Sequence, residues 1–197
     1  MKNIVVTSGA TSGLHSLFAT YLTEPSDEVV CFSPYFPFYK AQVEICNGVF
    51  RTIELKAVED ETANWNWCEK ELESILNKKT KFLILNNPMN PLGKLWTEEE
   101  YLKIVKIVEK FPNIIVISDE VYECTNSKNE KFVRFATIGN MWERTVSVYS
   151  VGKLFSCTGW RVGFMIGPEE IIKYPASYLT YAIFGISRPI AHAVSEA

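Results

Sequence analysis

Short apolar runs alternate with segments of helical periodicity along the whole chain. The runs have the length and the β-branched or aromatic content of buried strands. Six of them cover residues 4–6, 28–32, 82–85, 114–117, 146–149 and 162–166, and residues 49–55 alternate between apolar and polar positions as a strand does. Continuously apolar strands separated by helices are typical of a parallel sheet with helices on both faces. The pattern therefore predicts an α/β fold of three layers, α/β/α, around a mainly parallel, seven-stranded sheet.

The connecting segments carry apolar residues at helical spacing, and residues typical of helix ends flank them. Thr97 and Glu100 match the capping-box pattern at the start of the clearest helix, and Pro112 follows its end. Pro34 suits the first turn of a helix, and Pro189 is expected to begin another near the chain end. The predicted helices cover residues 11–22, 34–46, 69–77, 97–111 and much of the last 30 residues.

Composition and charge exclude several classes of protein. Hydrophobic residues make up 47% of the chain and charged residues 22%, which is the balance of a folded globular protein and not of a disordered one. The net charge is −3 and the basic residues are scattered, so we expect no nucleic-acid surface and no anionic-membrane surface. The chain has no apolar run near the ~20 residues of a membrane span.

The five cysteines are odd in number and irregularly spaced, and no C-x-x-C motif occurs. This pattern favours reduced thiols over a disulfide framework or a zinc site. We therefore expect no metal, and a cytoplasmic location, or a mitochondrial one if a targeting segment precedes this sequence.

Polar groups follow the predicted strands, and in parallel sheets ligands bind beyond the carboxyl ends of strands. The turn of residues 7–13, rich in small residues, suits a phosphate through free backbone N–H groups, although an ordinary strand–helix turn has the same composition. Asp119 follows a buried strand and could accept a charged ligand nitrogen, cap a helix or form an ion pair, and Tyr122 could reach the same pocket. Asn90 lies in a loop held by prolines, where asparagine is also common for structural reasons.

Lys153 follows the strand at 146–149 and is preceded by Gly152. The glycine that a triphosphate-binding loop requires five residues earlier is replaced by Ser147, so we reject that motif. A lysine amine in a closed pocket is a nucleophile suited to Schiff-base chemistry. Arg161, eight residues further on, could bind a phosphate with its forked guanidinium.

Taken together and in order, these segments resemble a known family. The stretches VVTSGATSGL, SDEVVCFSPYFPFY, NNPMNPLGK, ISDEVYE and YSVGKLFSCTGWRVGF are similar to the fold-type I pyridoxal-phosphate enzymes, specifically the class I/II aminotransferases. NPMNPLGK, MWERT and SVGKLFSCTGWRVGF resemble the kynurenine aminotransferase and cysteine-conjugate β-lyase group. The resemblance covers nearly the whole chain.

The resemblance implies a role for each residue around the ring of pyridoxal 5′-phosphate. Lys153 binds the cofactor as an aldimine and shuttles the proton, and is the catalytic residue. Asp119 pairs with the protonated pyridine nitrogen. Asn90 and Tyr122 bind the phenolic oxygen of the ring. Tyr35 stacks on the ring face.

The resemblance also implies a phosphate site. Four residues from three segments of the chain form this site, and they supply hydrogen-bond donors and one cationic side chain. They are Ala10, Thr11, Ser150 and Arg161.

The implied activity is transfer of an amino group from an amino acid to a 2-oxo acid, with kynurenine, glutamine, or aromatic or sulfur amino acids as donors. A cysteine-S-conjugate β-lyase on the same cofactor is the alternative, because the same carbanion can expel a β-substituent. Relative to the family, residues 1–197 correspond to an incomplete large domain that lacks an N-terminal segment and a C-terminal small domain. A truncated, non-catalytic fragment is therefore a third hypothesis. The full-length parent is expected to be a homodimer.

Overall fold

The computed structural model describes residues 2–58, 65–125 and 131–197 of the chain. It contains nine strands in these ranges: β1 (Ile4–Thr7), β2 (Glu28–Ser33), β3 (Val49–Glu54), β4 (Lys56–Ala57), β5 (Trp65–Asn66), β6 (Thr80–Asn86), β7 (Ile115–Asp119), β8 (Thr145–Ser150) and β9 (Gly163–Ile166). The α-helices are α1 (Gly9–Tyr21), α2 (Phe38–Ile45), α3 (Glu69–Ile75), α4 (Glu98–Val108), α5 (Val151–Leu154), α6 (Glu169–Ala182) and α7 (Arg188–Ser195).

Seven of the strands form one sheet in the order β1-β9-β8-β7-β6-β2-β3. The pairs from β8 through β3 are parallel, whereas β9 is antiparallel to both of its neighbours, β8 and β1. The predicted mainly parallel, seven-stranded sheet is therefore confirmed. The antiparallel direction of β9 and the small ribbon of β4 and β5 were not predicted.

Alternate residues of the central strands feed two apolar cores, one on each face of the sheet. Val30, Leu83 and Val116 pack with α3 and α4 on one face. Val29 and Ile84 pack with α1, α2 and α6 on the other. Each central strand is buried on both faces, which explains why it reads as a continuous apolar run. The three-layer α/β/α prediction is confirmed.

Helix α4 begins as its sequence indicates. The Thr97 hydroxyl accepts the backbone N–H of Glu100 at 3.1 Å, and the Glu100 carboxylate accepts the N–H of Thr97 at 2.9 Å. The predicted capping box is thus confirmed. Helix α7 starts at Arg188 with Pro189 in its first turn, which also agrees with the prediction.

The prediction that Pro34 lies in the first turn of a helix is wrong. Helix α2 begins at Phe38, after Pro37, and residues 34–37 form the connection from β2. Phe36 precedes Pro37, and a residue before proline is disfavoured in the helical region. Phe36 is therefore kept out of the helix, which begins only after Pro37.

None of the helices within the described ranges combines the length and the apolarity that crossing a membrane requires. All five cysteines lie in those ranges, and each is a free thiol.

Candidate active site

An open cleft of about 610 Å³, including the solvent space at its mouth, lies at the carboxyl edge of the parallel strands. It is lined by residues from the exits of β1, β2, β6, β7 and β8 and from the connection that precedes β9. The structure brings eight of the nine sequence-predicted site residues into it: Ala10, Thr11, Asn90, Asp119, Tyr122, Ser150, Lys153 and Arg161. The strand-exit argument thus locates these residues correctly, while their chemical roles stay predictions.

One end of the cleft is cationic and rich in free donors. Helix α1 starts there, and among the described residues no capping side chain binds the N–H groups of its first turn. The Arg161 guanidinium lies over Gly9, because a Cβ on Gly9 would be 2.8 Å from Arg161 Cζ. Ser150 and Thr158 line the same cleft. A helix N-terminus beside a guanidinium is suited to a phosphate.

Two backbone features hold this end together. Arg161 adopts a left-handed conformation with φ of 54°, and its Nη1 donates to the carbonyl of Thr158 at 3.1 Å. Gly163 brings β9 against the start of α1, since a Cβ there would be 2.7 Å from the nitrogen of Ala10. The absence of a side chain at Gly163 therefore allows the strand that follows Arg161 to approach the α1 turn.

Asp119 supplies a buried acid to the cleft, with only 4% of its surface exposed. Its carboxylate accepts the hydroxyl of Tyr39, from α2, and the backbone N–H of Val121 at 3.3 Å. Burial raises the pKa of Asp119 to about 6, and the neighbouring charge of Glu120 adds to this rise, whereas the two hydrogen bonds oppose it. A buried carboxylate of this kind gains most from a cationic ligand group.

Lys153 lies in α5, directly after β8, and lines the same cleft as Asp119. Its Nζ is 5.4 Å from the ring centroid of Tyr122. The Tyr122 hydroxyl accepts from Asn90 Nδ2 at 3.2 Å, and the Asn90 backbone N–H donates to Asn86 Oδ1 at 2.7 Å. The predicted pair of Asn90 and Tyr122 is therefore joined by a hydrogen bond on one wall of the cleft.

The cleft contains an aromatic side chain that the sequence did not single out. Phe36 lines it, whereas Tyr35 lies beside an adjoining space and packs its ring on Phe50 with centroids 4.8 Å apart. Tyr35 is thus the one predicted site residue that the structure does not bring into the cleft. The structure therefore places Phe36 in the cleft and Tyr35 beside the adjoining space.

Behind Asp119 lies a second carboxyl group, on Glu120, which is fully buried. It accepts hydrogen bonds from the hydroxyls of Ser118 at 2.9 Å and Tyr149 at 2.8 Å, and from Arg134 Nη1 at 3.0 Å. Arg134 also bridges to Glu123. This network joins the ends of β7 and β8, and so it fixes the strand exits that carry Asp119 and the lysine. Sequence reasoning missed it, because its partners are remote in the chain.

Comparison with known proteins decides the family. The model of the family "Aminotransferase class I and II" matches residues 1–197. The chain belongs to the class I and II aminotransferases. Within that family it is 38% identical to kynurenine–oxoglutarate transaminase of Dictyostelium discoideum, over 100% of this chain and 48% of the relative. It is 36% identical to human kynurenine–oxoglutarate transaminase 3, over 100% of this chain and 44% of that protein.

Solved structures of aminotransferases share the fold. The N-succinyldiaminopimelate aminotransferase of Mycobacterium tuberculosis superposes with a TM-score of 0.91 at 30% identity, over 100% of this chain and 50% of that one. The chain therefore spans about half the length of the aminotransferases that it matches. The sequence-based resemblance to this family, and to kynurenine aminotransferases within it, is confirmed.

Proposed function

We propose that this chain forms the cofactor-binding large domain of a pyridoxal-phosphate-dependent aminotransferase that moves an amino group from an amino acid to a 2-oxo acid. One observation carries the proposal: a lysine, a buried acid and a cationic helix N-terminus line a single cleft, through Lys153, Asp119 and the α1–Arg161 end. The family of the chain supports the same conclusion.

The residues of the cleft fit pyridoxal phosphate group by group. The α1 turn and Arg161 suit a dianionic phosphate, and the space over Gly9 that a side chain would fill is taken by the guanidinium. Asp119 offers a buried acceptor to a protonated pyridine nitrogen, which compensates its desolvation. Tyr122 with Asn90 offers polar groups to the phenolic oxygen.

When bound, the cofactor supplies an electron sink for the carbanion of an amino acid. The protein residues then bind the cofactor, transfer the proton and stabilise the charge on the ring. The Lys153 amine is the nucleophile that holds the cofactor, and it moves the proton at the amino-acid α-carbon. Asp119 would provide the negative charge that keeps the ring nitrogen protonated, and Phe36 and Val121 supply apolar side chains to the cleft lining.

The names of the relatives support kynurenine as the amino donor and 2-oxoglutarate as the acceptor. Glutamine and aromatic or sulfur amino acids are further donors that we propose on the same resemblance. Homodimerisation of the parent protein stays a prediction.

Reductive labelling tests the cofactor site directly. Pyridoxal phosphate is added to the protein, borohydride is used to fix any covalent adduct, and peptide mass spectrometry locates the label. We expect one label on Lys153, its loss in Lys153→Arg, and its retention in Lys173→Arg, which changes a surface lysine paired with Glu170. Label at another lysine, or none, would contradict the proposed site.

Transamination is then tested with kynurenine and 2-oxoglutarate, with glutamate as the measured product. We expect formation of glutamate that depends on Lys153 in the protein that carries this chain. Labelled protein that forms no glutamate with any of the proposed donors would contradict the aminotransferase activity and favour a cofactor-binding fragment without turnover.

A further inference from the structure

Asp119 is held by a side chain from a different element of the fold. The Tyr39 hydroxyl, on α2, donates to Asp119 Oδ2, although the two residues are 80 positions apart in the sequence. Tyr39 is 1% exposed and lines the cleft beside the acid. The contact therefore lies inside the candidate active site and is shielded from water, where a hydrogen bond to a charged group is strongest.

Within the part of the chain that the structure describes, each carboxylate oxygen of Asp119 accepts one hydrogen bond. Oδ2 accepts from Tyr39, and Oδ1 accepts the backbone N–H of Val121 at 3.3 Å, which is the longer bond. A buried carboxylate oxygen that loses its donor favours the protonated form of the acid. The Tyr39 hydroxyl is thus the side-chain donor on which the orientation of Asp119 depends.

Helix α2 is anchored so that Tyr39 cannot easily move away. One turn after Tyr39, Gln42 Nε2 donates to the carbonyl of Thr11 at 3.0 Å. The Tyr39 ring also packs edge-on against Phe36, with centroids 5.7 Å apart. Residues three apart share a helix face, so this face of α2 contacts both the acid end and the α1 end of the cleft.

Other titratable or charged groups surround Asp119 on every side. They are Cys31 on β2, Tyr39 on α2, Glu120 and Tyr122 after β7, and Lys153 and Arg161 across the cleft. Of these groups, Tyr39 makes a direct side-chain hydrogen bond to the carboxylate.

We propose that Tyr39 is a positioning residue that fixes the orientation of the Asp119 carboxylate and keeps it ionised for a cationic ring nitrogen. Its benefit to the reaction rests on the proposed function. The contact itself is a property of the cofactor-free protein and can be tested there.

The titration of Asp119 measures this role. The chain contains three aspartates, Asp27, Asp60 and Asp119, so protein labelled with ¹³Cγ-aspartate gives few carboxyl signals, and Asp119→Asn identifies the relevant one. We expect Tyr39→Phe to raise the pH midpoint of the Asp119 signal by about one unit, since loss of one hydrogen bond to a charged group has that size. A merely structural role of Tyr39 would leave the midpoint unchanged.

Tyr101→Phe is the matched control. Tyr101 is also fully buried, on α4, and among the described residues its hydroxyl makes no hydrogen bond to Asp119. This variant also removes a tyrosine hydroxyl oxygen, but on the other face of the sheet. We expect the pH midpoint of the Asp119 signal to equal that of the unchanged protein.

A second measurement decides the matter even if Tyr39→Phe fails to fold. In the unchanged protein labelled with ¹³Cζ-tyrosine, the Tyr39 signal is expected to shift with the midpoint of Asp119. An Asp119 midpoint that is the same in Tyr39→Phe, or a Tyr39 signal that ignores the titration of Asp119, would overturn the proposal. No cofactor is added in either experiment, so these outcomes are independent of the labelling of Lys153.

Discussion

The guanidinium of Arg161 occupies the space that a side chain on Gly9 would need. A Cβ at Gly9 would lie 2.8 Å from Arg161 Cζ, and the φ of Gly9 is +74°, which L-residues rarely adopt. The glycine thus does two things at once: it allows the sharp turn into α1, and it lets the cation approach the backbone N–H groups of that turn.

Gly9→Ala is therefore expected to weaken binding of pyridoxal phosphate by about tenfold or more, because it displaces the cation that we propose to bind the phosphate. Binding of pyridoxal, which has no phosphate, should change little. Fluorescence titration with both ligands measures the difference. Gly139→Ala is the matched control, since Gly139 also has a positive φ, of 51°, but has nothing within 4 Å of an added Cβ. Equal weakening for both ligands would contradict the phosphate site.

Phe36 and Tyr35 can be separated by substitution. If the aromatic wall of the cleft is Phe36, Phe36→Leu should weaken pyridoxal-phosphate binding several-fold, since a stacked aromatic contact contributes about 1 kcal/mol. Tyr35→Leu removes a ring that packs on Phe50, and it should lower thermal stability more than cofactor affinity. The same fluorescence titration, together with thermal unfolding, tests both variants. The opposite pattern would restore Tyr35 as the residue against the ring.

The raised pKa of Asp119 predicts an unusual dependence of stability on pH. Because the folded-state pKa, about 6, lies above the ordinary value of 3.8, the folded protein binds this proton more tightly than the unfolded chain does. The ionised Asp119 carboxylate therefore lowers the free energy of unfolding above pH ~6. This destabilisation disappears below pH ~4.

Asp119→Asn removes the destabilisation that the ionised Asp119 carboxylate causes in the cofactor-free protein. The stability of the variant relative to the unchanged protein should be about 2 kcal/mol more favourable at pH 8 than at pH 4. Urea unfolding at the two pH values gives the comparison. A relative stability that does not change with pH would show that Asp119 is not strained by its burial.

The network around Glu120 predicts a stability effect without any ligand. Arg134→Met leaves the fully buried Glu120 carboxylate without its cation, and we expect a loss of about 2 kcal/mol in the free energy of unfolding. The double variant Arg134→Met/Glu120→Gln should recover part of that loss. Lys131→Met breaks an exposed pair with Glu98 and should cost less than about 1 kcal/mol. Similar costs for Arg134→Met and Lys131→Met would contradict the importance of burial.

The sequence predicts most of the fold because its signals are local. The capping box of Thr97 and Glu100 and the continuously apolar strands each depend on residues that are close in the chain. The direction of β9 is different, since a short strand of four residues has the same apolar pattern whether it runs parallel or antiparallel.

Some residues of the candidate site could likewise be predicted from local sequence, and others could not. Residues at the end of a strand or just beyond it, such as Asp119 at the end of β7 and Lys153 after β8, are found by the general rule on parallel sheets. Tyr39 is not, because its contact with Asp119 joins positions 80 apart and no pattern within α2 marks it. Phe36 was missed because the sequence-based helix began at Pro34, whereas Pro37 keeps Phe36 outside α2 and the structure places Phe36 in the cleft.

The antiparallel direction of β9 also has a consequence for how the chain tolerates change. Ser150 pairs with Gly163 across β8 and β9, so a single connection of twelve residues leaves the sheet and returns to it at the same edge. Lys153 and Arg161, which we propose to bind opposite ends of one ligand, both lie on that connection. Their separation is set within one local loop and not by the docking of distant segments. An inserted residue between them would misalign both anchors, whereas an insertion after Ile166 would leave their spacing intact.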